Sequence, residues 1–151
     1  MTAIREVGAE ATYDLRRLVL RGGRADADVT YEEDALPTTF HLVAVDDAGA
    51  IVGVSTWAPC TTERRPGARA WRLRGMAVAP SLQGGGVGSA LLGAAVERLR
   101  GEGVEVLWAD GRDAALAFYE RHGWRVEGEG FDRAGGIPHH LVVLDLEPPH
   151  A

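Results

Sequence analysis

The chain has 151 residues, enough for one domain with a single substantial core, and its 46% hydrophobic and 25% charged content is ordinary for a folded globular protein. A formal charge of −6, with all 16 basic residues arginine, disfavours nucleic acid as the main partner. No apolar run approaches the roughly 18 residues of a spanning helix, so no membrane partner is expected. The lone Cys60 allows no intramolecular disulfide, and MTAIREVGAEATYDL lacks an apolar signal-peptide core; a cytoplasmic location is expected.

In chain order, residues 2 to 7 form a first strand and 9 to 21 a helix with Leu15, Leu18 and Val19 on one face. GGRADADVTYEEDALPTT is acidic and broken by glycine and proline, a loop with room for one short helix. Strands at 40 to 46 and 50 to 58 are joined by Asp47, Ala48 and Gly49, a hairpin turn. A second turn, ERRPGAR, leads into a strand at 70 to 79, which Pro80 stops for want of an N–H. Val87, Leu91, Ala95 and Leu99 then recur at helical spacing. A strand at 104 to 109 and a helix from about Asp113 to His122 follow, with Gly123 as the left-handed residue that ends the helix. Strands at 124 to 131 and 139 to 146 and a PPHA tail complete one domain spanning 1 to 151.

Between the 70 to 79 strand and the long helix lie Gln83, Gly84, Gly85, Gly86 and Gly88. The first N–H groups of a helix lack intrahelical partners and carry partial positive charge. Glycines remove the β-carbons that would hold an anion off, so this turn suits a phosphate or diphosphate. A nucleotide P-loop needs Gly-Lys-Ser/Thr, and the chain has no lysine. A dinucleotide fingerprint counted from Gly84 ends on Ser89, and counted from Gly86 on Leu91, neither of them Gly or Ala. Q/R-x-x-G-x-G/A fits in register, through Gln83, Gly86 and Gly88. A glycine-rich loop before an ordinary helix is the plainer alternative for this segment taken alone.

Downstream, ALAFYERHGW matches A-x-x-x-Y-x-x-x-G-F at Ala115, Tyr119 and Gly123, with Trp124 in place of phenylalanine. With both motifs in order, the chain resembles the GNAT superfamily of N-acetyltransferases over nearly its whole length. TFHLVAVDDAG, WRLRGMAV and GIPHH resemble segments of a bacterial subgroup. The resemblance implies an α+β fold: a mixed, mostly antiparallel central sheet flanked by helices and splayed between the fourth and fifth strands.

It further implies acetyl-CoA as cofactor and direct acetyl transfer from the thioester to a primary amine of a small molecule or peptide. An inactive acyl-CoA-binding sensor is the alternative, and a homodimer is a state seen among such relatives. Coenzyme contacts are expected from Met76, Ala77 and Val78, from Gln83, Gly84, Gly85, Gly86, Val87, Gly88 and Ser89, and from Arg112 and Tyr119; no metal is expected. The 76–78 backbone is expected to pair with the pantetheine arm as an added strand does, one N–H aimed at the thioester oxygen.

Tyr119 is the expected proton donor to the departing thiolate, since a phenol of pKa near ~10 is protonated at neutral pH; a packing role is the alternative. The amine must lose a proton to become nucleophilic. Arg72 and Arg74 stand where some relatives have a glutamate, which leaves Asp110, His41, His139, Glu63 or a water chain as base. His41 and His139 rank first, His139 as part of a late loop that either rims the acceptor pocket or simply lies at the surface. Arg112 is expected either on a coenzyme phosphate or paired with Asp110. Asp26, Asp28, Glu32, Glu33 and Asp34 are expected either to draw a cationic acceptor or simply to solvate their loop.

Overall fold

Near-continuous apolar runs become the central strands of the computed structural model, which describes residues 2–147; the expected PPHA tail lies outside them. The strands are β1 (Ala3–Val7), β2 (Phe40–Val45), β3 (Ile51–Pro59), β4 (Ala70–Val78), β5 (Val106–Arg112), β6 (Arg125–Arg133) and β7 (Ile137–Asp145). Their hydrogen-bonded order is β1-β2-β3-β4-β5-β7-β6. The ladders of β1 with β2, β2 with β3, β5 with β7 and β6 with β7 are antiparallel, while β4 and β5 run parallel. The parallel ladder consists of Ala70–Arg72 against Val106–Trp108, and this short pairing is the expected splay.

The chain forms two compact units, Met1–Ala58 with Leu73–Arg98 and Pro59–Arg72 with Leu99–Ala151. In the first, a 3-10 turn (Ala9–Thr12), the short helix α1 (Tyr13–Leu15) and a π-helical stretch (Arg16–Leu20) fill the region expected to be one helix. Leu15 packs with Val43, Val54 and Ala77. Adjacent strand residues face opposite ways, so Gly53 faces the other side. There a β-carbon on Gly53 would stand 2.6 Å from Val87 Cγ1 and 3.0 Å from Leu91 Cδ1, both on helix α2 (Val87–Gly101). Only glycine lets α2 lie this close to β3. Val87, Leu91, Ala95 and Leu99, the stripe read from the sequence, are all buried.

In the second unit, Ala70, Val106 and Val143 make one core cluster. Helix α3 (Leu116–Arg121) lies across the opposite face, where Tyr119 sits against Gly111 and Trp124. Gly123, at φ +86°, ends α3 as expected. Arg65 ties the 60–69 turn down by pairing with both Asp145 and Glu127 at 2.8 Å.

Candidate active site

The glycine turn belongs to the first unit. After β4, Pro80–Leu82 makes a single 3-10 turn, with Leu82 N–H donating to Ala79 O at 2.8 Å and Gly85 N–H to Leu82 O at 3.1 Å. Gln83 Nε2 donates to Val78 O at 3.1 Å, so this side chain braces the turn against the end of β4. Gly84 and Gly86 have φ of +85° and +92°, the left-handed region that side chains resist. A β-carbon at either would meet nothing within 4 Å, so the space in front of the turn is open. Gly86 O accepts from Ala90 N–H at 3.0 Å and starts α2. The N–H groups of the first helical turn, Val87 and Gly88 among them, have no carbonyl four residues back within the helix. A diphosphate fits an exposed turn of this kind.

The β4 stretch beside it carries Met76, Ala77 and Val78, with Ala77 buried toward Val54. Just before them Gly75 has φ +66°, and a β-carbon there would stand 2.8 Å from the Tyr31 ring. Tyr31 lies between two guanidiniums, Arg16 at 4.0 Å and Arg74 at 4.2 Å from its ring centre. Arg74 Nη1 donates to Glu33 at 3.0 Å. Arg16 is wholly buried; it donates to both oxygens of Asp34 at 2.9 and 3.0 Å, to Val29 O at 2.8 Å and to Thr56 Oγ1 at 2.6 Å.

His41 belongs to that buried network. Its Nδ1 lies 2.8 Å from Thr56 Oγ1 and its Nε2 3.8 Å from Asp34 Oδ1. Because Thr56 Oγ1 accepts from Arg16, its own hydrogen is available to Nδ1, which fits a neutral ring protonated at Nε2. Burial lowers the His41 pKa below its ordinary value, outweighing the Asp34 charge that raises it. Burial by itself raises Asp34, and the Arg16 and Tyr31 hydrogen bonds more than reverse this, leaving Asp34 below the usual carboxylate value.

In the second unit Tyr119 is buried on α3, and burial pushes its hydroxyl up to about 12. A β-carbon on Gly111 would stand 3.2 Å from the Tyr119 ring, so a side chain there would press on the ring. His139 Nδ1 lies 2.8 Å from Ile137 O, and its ring stacks on Phe131 at 6.0 Å. A carbonyl accepts only, so Nδ1 carries the hydrogen and a neutral His139 presents Nε2 as a base. Asp110 Oδ2 accepts from Arg72 Nη2 at 2.9 Å and from Arg133 Nη2.

Comparison with known proteins decides the family. The model of the acetyltransferase (GNAT) family matches residues 9–124. The chain belongs to the GNAT family of acetyltransferases. It is 31% identical over 143 residues to the uncharacterised N-acetyltransferase YitI of Bacillus subtilis (strain 168), covering 95% of each chain. It shares its fold with an aminoglycoside 6'-N-acetyltransferase complexed with coenzyme A (TM-score 0.76, 17% identity, 99% of each chain). It also does so with a GNAT acetyltransferase of Elizabethkingia anophelis with acetyl-CoA bound (TM-score 0.70, 18% identity, 96% of this chain and 98% of that one).

Three placements in this GNAT chain depart from the sequence reading. His139 is not in a late loop: β7 begins at Ile137, because GIPHH pairs with β5 and β6 through Arg112↔His139 and Phe131↔His139. Asp110 and Arg112 lie on β5, which runs beyond the expected Ala109 because β7 supplies partners for its last residues. The acidic loop is largely occupied internally: Asp34 by Arg16, Glu33 by Arg74, and Asp28 by the Thr30 N–H and hydroxyl at 2.9 and 2.7 Å. Nothing local in the sequence marks Arg16 and Tyr31 as the anchors of this loop. An arginine in a helix among leucines reads as a solvated position, and only the returning loop brings its partners.

Proposed function

We propose that the chain transfers the acetyl group of acetyl-CoA directly to a primary amine of a small molecule or peptide. The observation that carries this reading is the Gln83–Ser89 turn, with two left-handed glycines, open space before them and a helix start behind, in a GNAT chain. When bound, acetyl-CoA supplies an activated thioester.

The chain's own groups then have distinct tasks. N–H groups of Gly84, Gly86, Val87, Gly88 and Ser89 hold the diphosphate, while the Gly85 N–H, which donates to Leu82 O, and Gln83, through Val78 O, keep the turn in shape. Backbone groups of Met76, Ala77 and Val78 hold the pantetheine arm as an edge strand holds a peptide, and an N–H there stabilises charge on the thioester oxygen. Arg112 adds a cation for a coenzyme phosphate. Tyr119, protonated throughout the neutral range, donates to the leaving sulfur.

His139 is the stronger of the two histidine candidates for base. Ile137 O fixes its hydrogen on Nδ1, whereas both ring nitrogens of His41 face buried partners. His41 acts instead through the network that holds the 28–36 loop.

Isothermal titration with acetyl-CoA, followed by thiol release across an amine panel, tests the reading. Binding followed by amine-dependent thiol release is expected. Binding without release for every amine would overturn the catalytic part, and absence of binding would overturn all of it.

A further inference from the structure

In the second unit, strand pairing places several side chains on one sheet face. Directly paired residues point the same way and alternate residues share a face. Arg72 pairs with Trp108, Asp110 lies two residues further on, and Arg112 pairs with His139, which pairs with Phe131; Arg133 follows two residues later. This is the face opposite α3.

Its charge is unbalanced. Arg72 and Arg133 both donate to Oδ2 of Asp110, so two guanidiniums share one carboxylate oxygen. A guanidinium has five N–H donors in a fixed fork, and a pair of them satisfied by one oxygen keeps most of its capacity for a second anion. Nε of Arg72 is buried and has no hydrogen-bond partner among the described residues. The Arg133 side chain is 43% exposed, so an incoming group can reach it. The nearby carboxylates Glu127 and Asp145 are occupied by Arg65 and Arg125. Around the cluster the surface is aromatic: Arg72 lies over Trp108 at 4.9 Å, Arg133 over Phe131 at 5.9 Å, and Phe131 is 37% exposed.

We propose that the Arg72–Asp110–Arg133 cluster binds the carboxylate of an amino-acid-like acceptor whose apolar side chain rests on Trp108 and Phe131. A carboxylate matches the guanidinium fork in two parallel hydrogen bonds. The inference rests on the proposed acetyl transfer to an amine and narrows its substrate class. It also reverses the cationic preference suggested by the acidic loop, whose Asp28, Glu33 and Asp34 carboxylates already have partners.

The test uses pairs of acceptors that differ only in the carboxylate, such as L-phenylalanine against 2-phenylethylamine and L-methionine against 3-(methylthio)propylamine. The carboxylate-bearing member is expected to have the higher kcat/KM by about tenfold or more, as when a site built to hydrogen-bond a group meets an analogue lacking it. Arg133→Gln should raise its KM with kcat little changed and leave the decarboxylated amine unaffected; Arg133→Lys should restore part of the difference. Asp110→Asn removes the competing anion and should lower the same KM. These opposite signs cannot both come from poor folding.

Titration of the full chain, with coenzyme A present, by N-acetyl-L-phenylalanine and by N-(2-phenylethyl)acetamide reads the site without turnover. Preference for the former, lost in Arg133→Gln, supports the carboxylate site even if no amine releases thiol, an outcome that would sink the acetyl-transfer reading alone. Turnover with equal use of both members of each pair would overturn the present inference and leave acetyl transfer standing. No preference in either assay overturns it as well.

Discussion

Gly86 joins a φ of +92° to a space in which a β-carbon would touch nothing within 4 Å. Gly86→Ala therefore adds backbone strain of roughly 1–2 kcal/mol without a clash, and its methyl group enters the space an anion would use. The expected result is a modest fall in thermal midpoint with coenzyme A binding weakened about tenfold, or about 1.4 kcal/mol; calorimetry of both quantities checks it. Equal binding by the variant would remove the turn from the coenzyme site. Tyr119→Phe tests a different step. Turnover should fall about tenfold or more, the scale of a positioned proton donor, while acetyl-CoA affinity holds. Undiminished turnover would reduce Tyr119 to the packing residue that its contacts with Trp124 and Gly111 already make it.

At the scale of elements, the contact of α2 with β3 sets where the helix begins. Val87, the first residue of α2, is also the side chain nearest Gly53. Its β-branched side chain cannot easily turn away, so Gly53→Ala overpacks the contact at a cost of about 1–3 kcal/mol. Urea unfolding should show that loss, with weaker coenzyme A binding because the start of α2 shifts. Val87→Ala in the same chain should recover much of both; if it recovers neither, the contact is not the cause. The 28–36 loop is held by a comparable device, Tyr31 stacked between Arg16 and Arg74 and seated against Gly75. Glu33 and Asp34 complete it as ion-pair partners, which explains why an acidic run is not a free acidic surface.

For the molecule as a whole, stability should depend on pH at both ends of the scale. His41 titrates below its ordinary 6.5 when folded. As pH falls through that value the unfolded chain binds a proton that the folded one refuses, and stability declines. Asp34 lies below its ordinary 3.8, so a second loss begins as pH falls through that value. Tyr119 moves from an ordinary 10.0 to about 12, so the unfolded chain ionises first and stability falls as pH rises between the two. Thermal midpoints measured from pH 3 to 11 should therefore form a plateau between about 6.5 and 10. His41→Gln should flatten the slope just below pH 6.5 whatever it does to the midpoint itself. An unchanged slope would place that titration elsewhere.

Read without any structure, the amino-acid order was sufficient for the order of the strands and the two later helices, though not for the broken helical region at 9 to 20, and for the buried stripe of α2, the left-handed Gly123 and the turn that opens a helix. Each of these depends on residues close together in the chain, on periodicity, or on the few residue types that tolerate an unusual backbone. Both GNAT motifs are local in the same sense, so the family was legible. The partners of charged groups were not. Arg16 meets Asp34 and Thr56, Arg72 meets Asp110, and Arg133 reaches back to the same carboxylate. Those pairings depend on strand register and on where a loop returns. A charge in the sequence does not disclose whether it ends beside water or beside an opposite charge; only the folded chain settles that, and with it which acids are left to meet an acceptor.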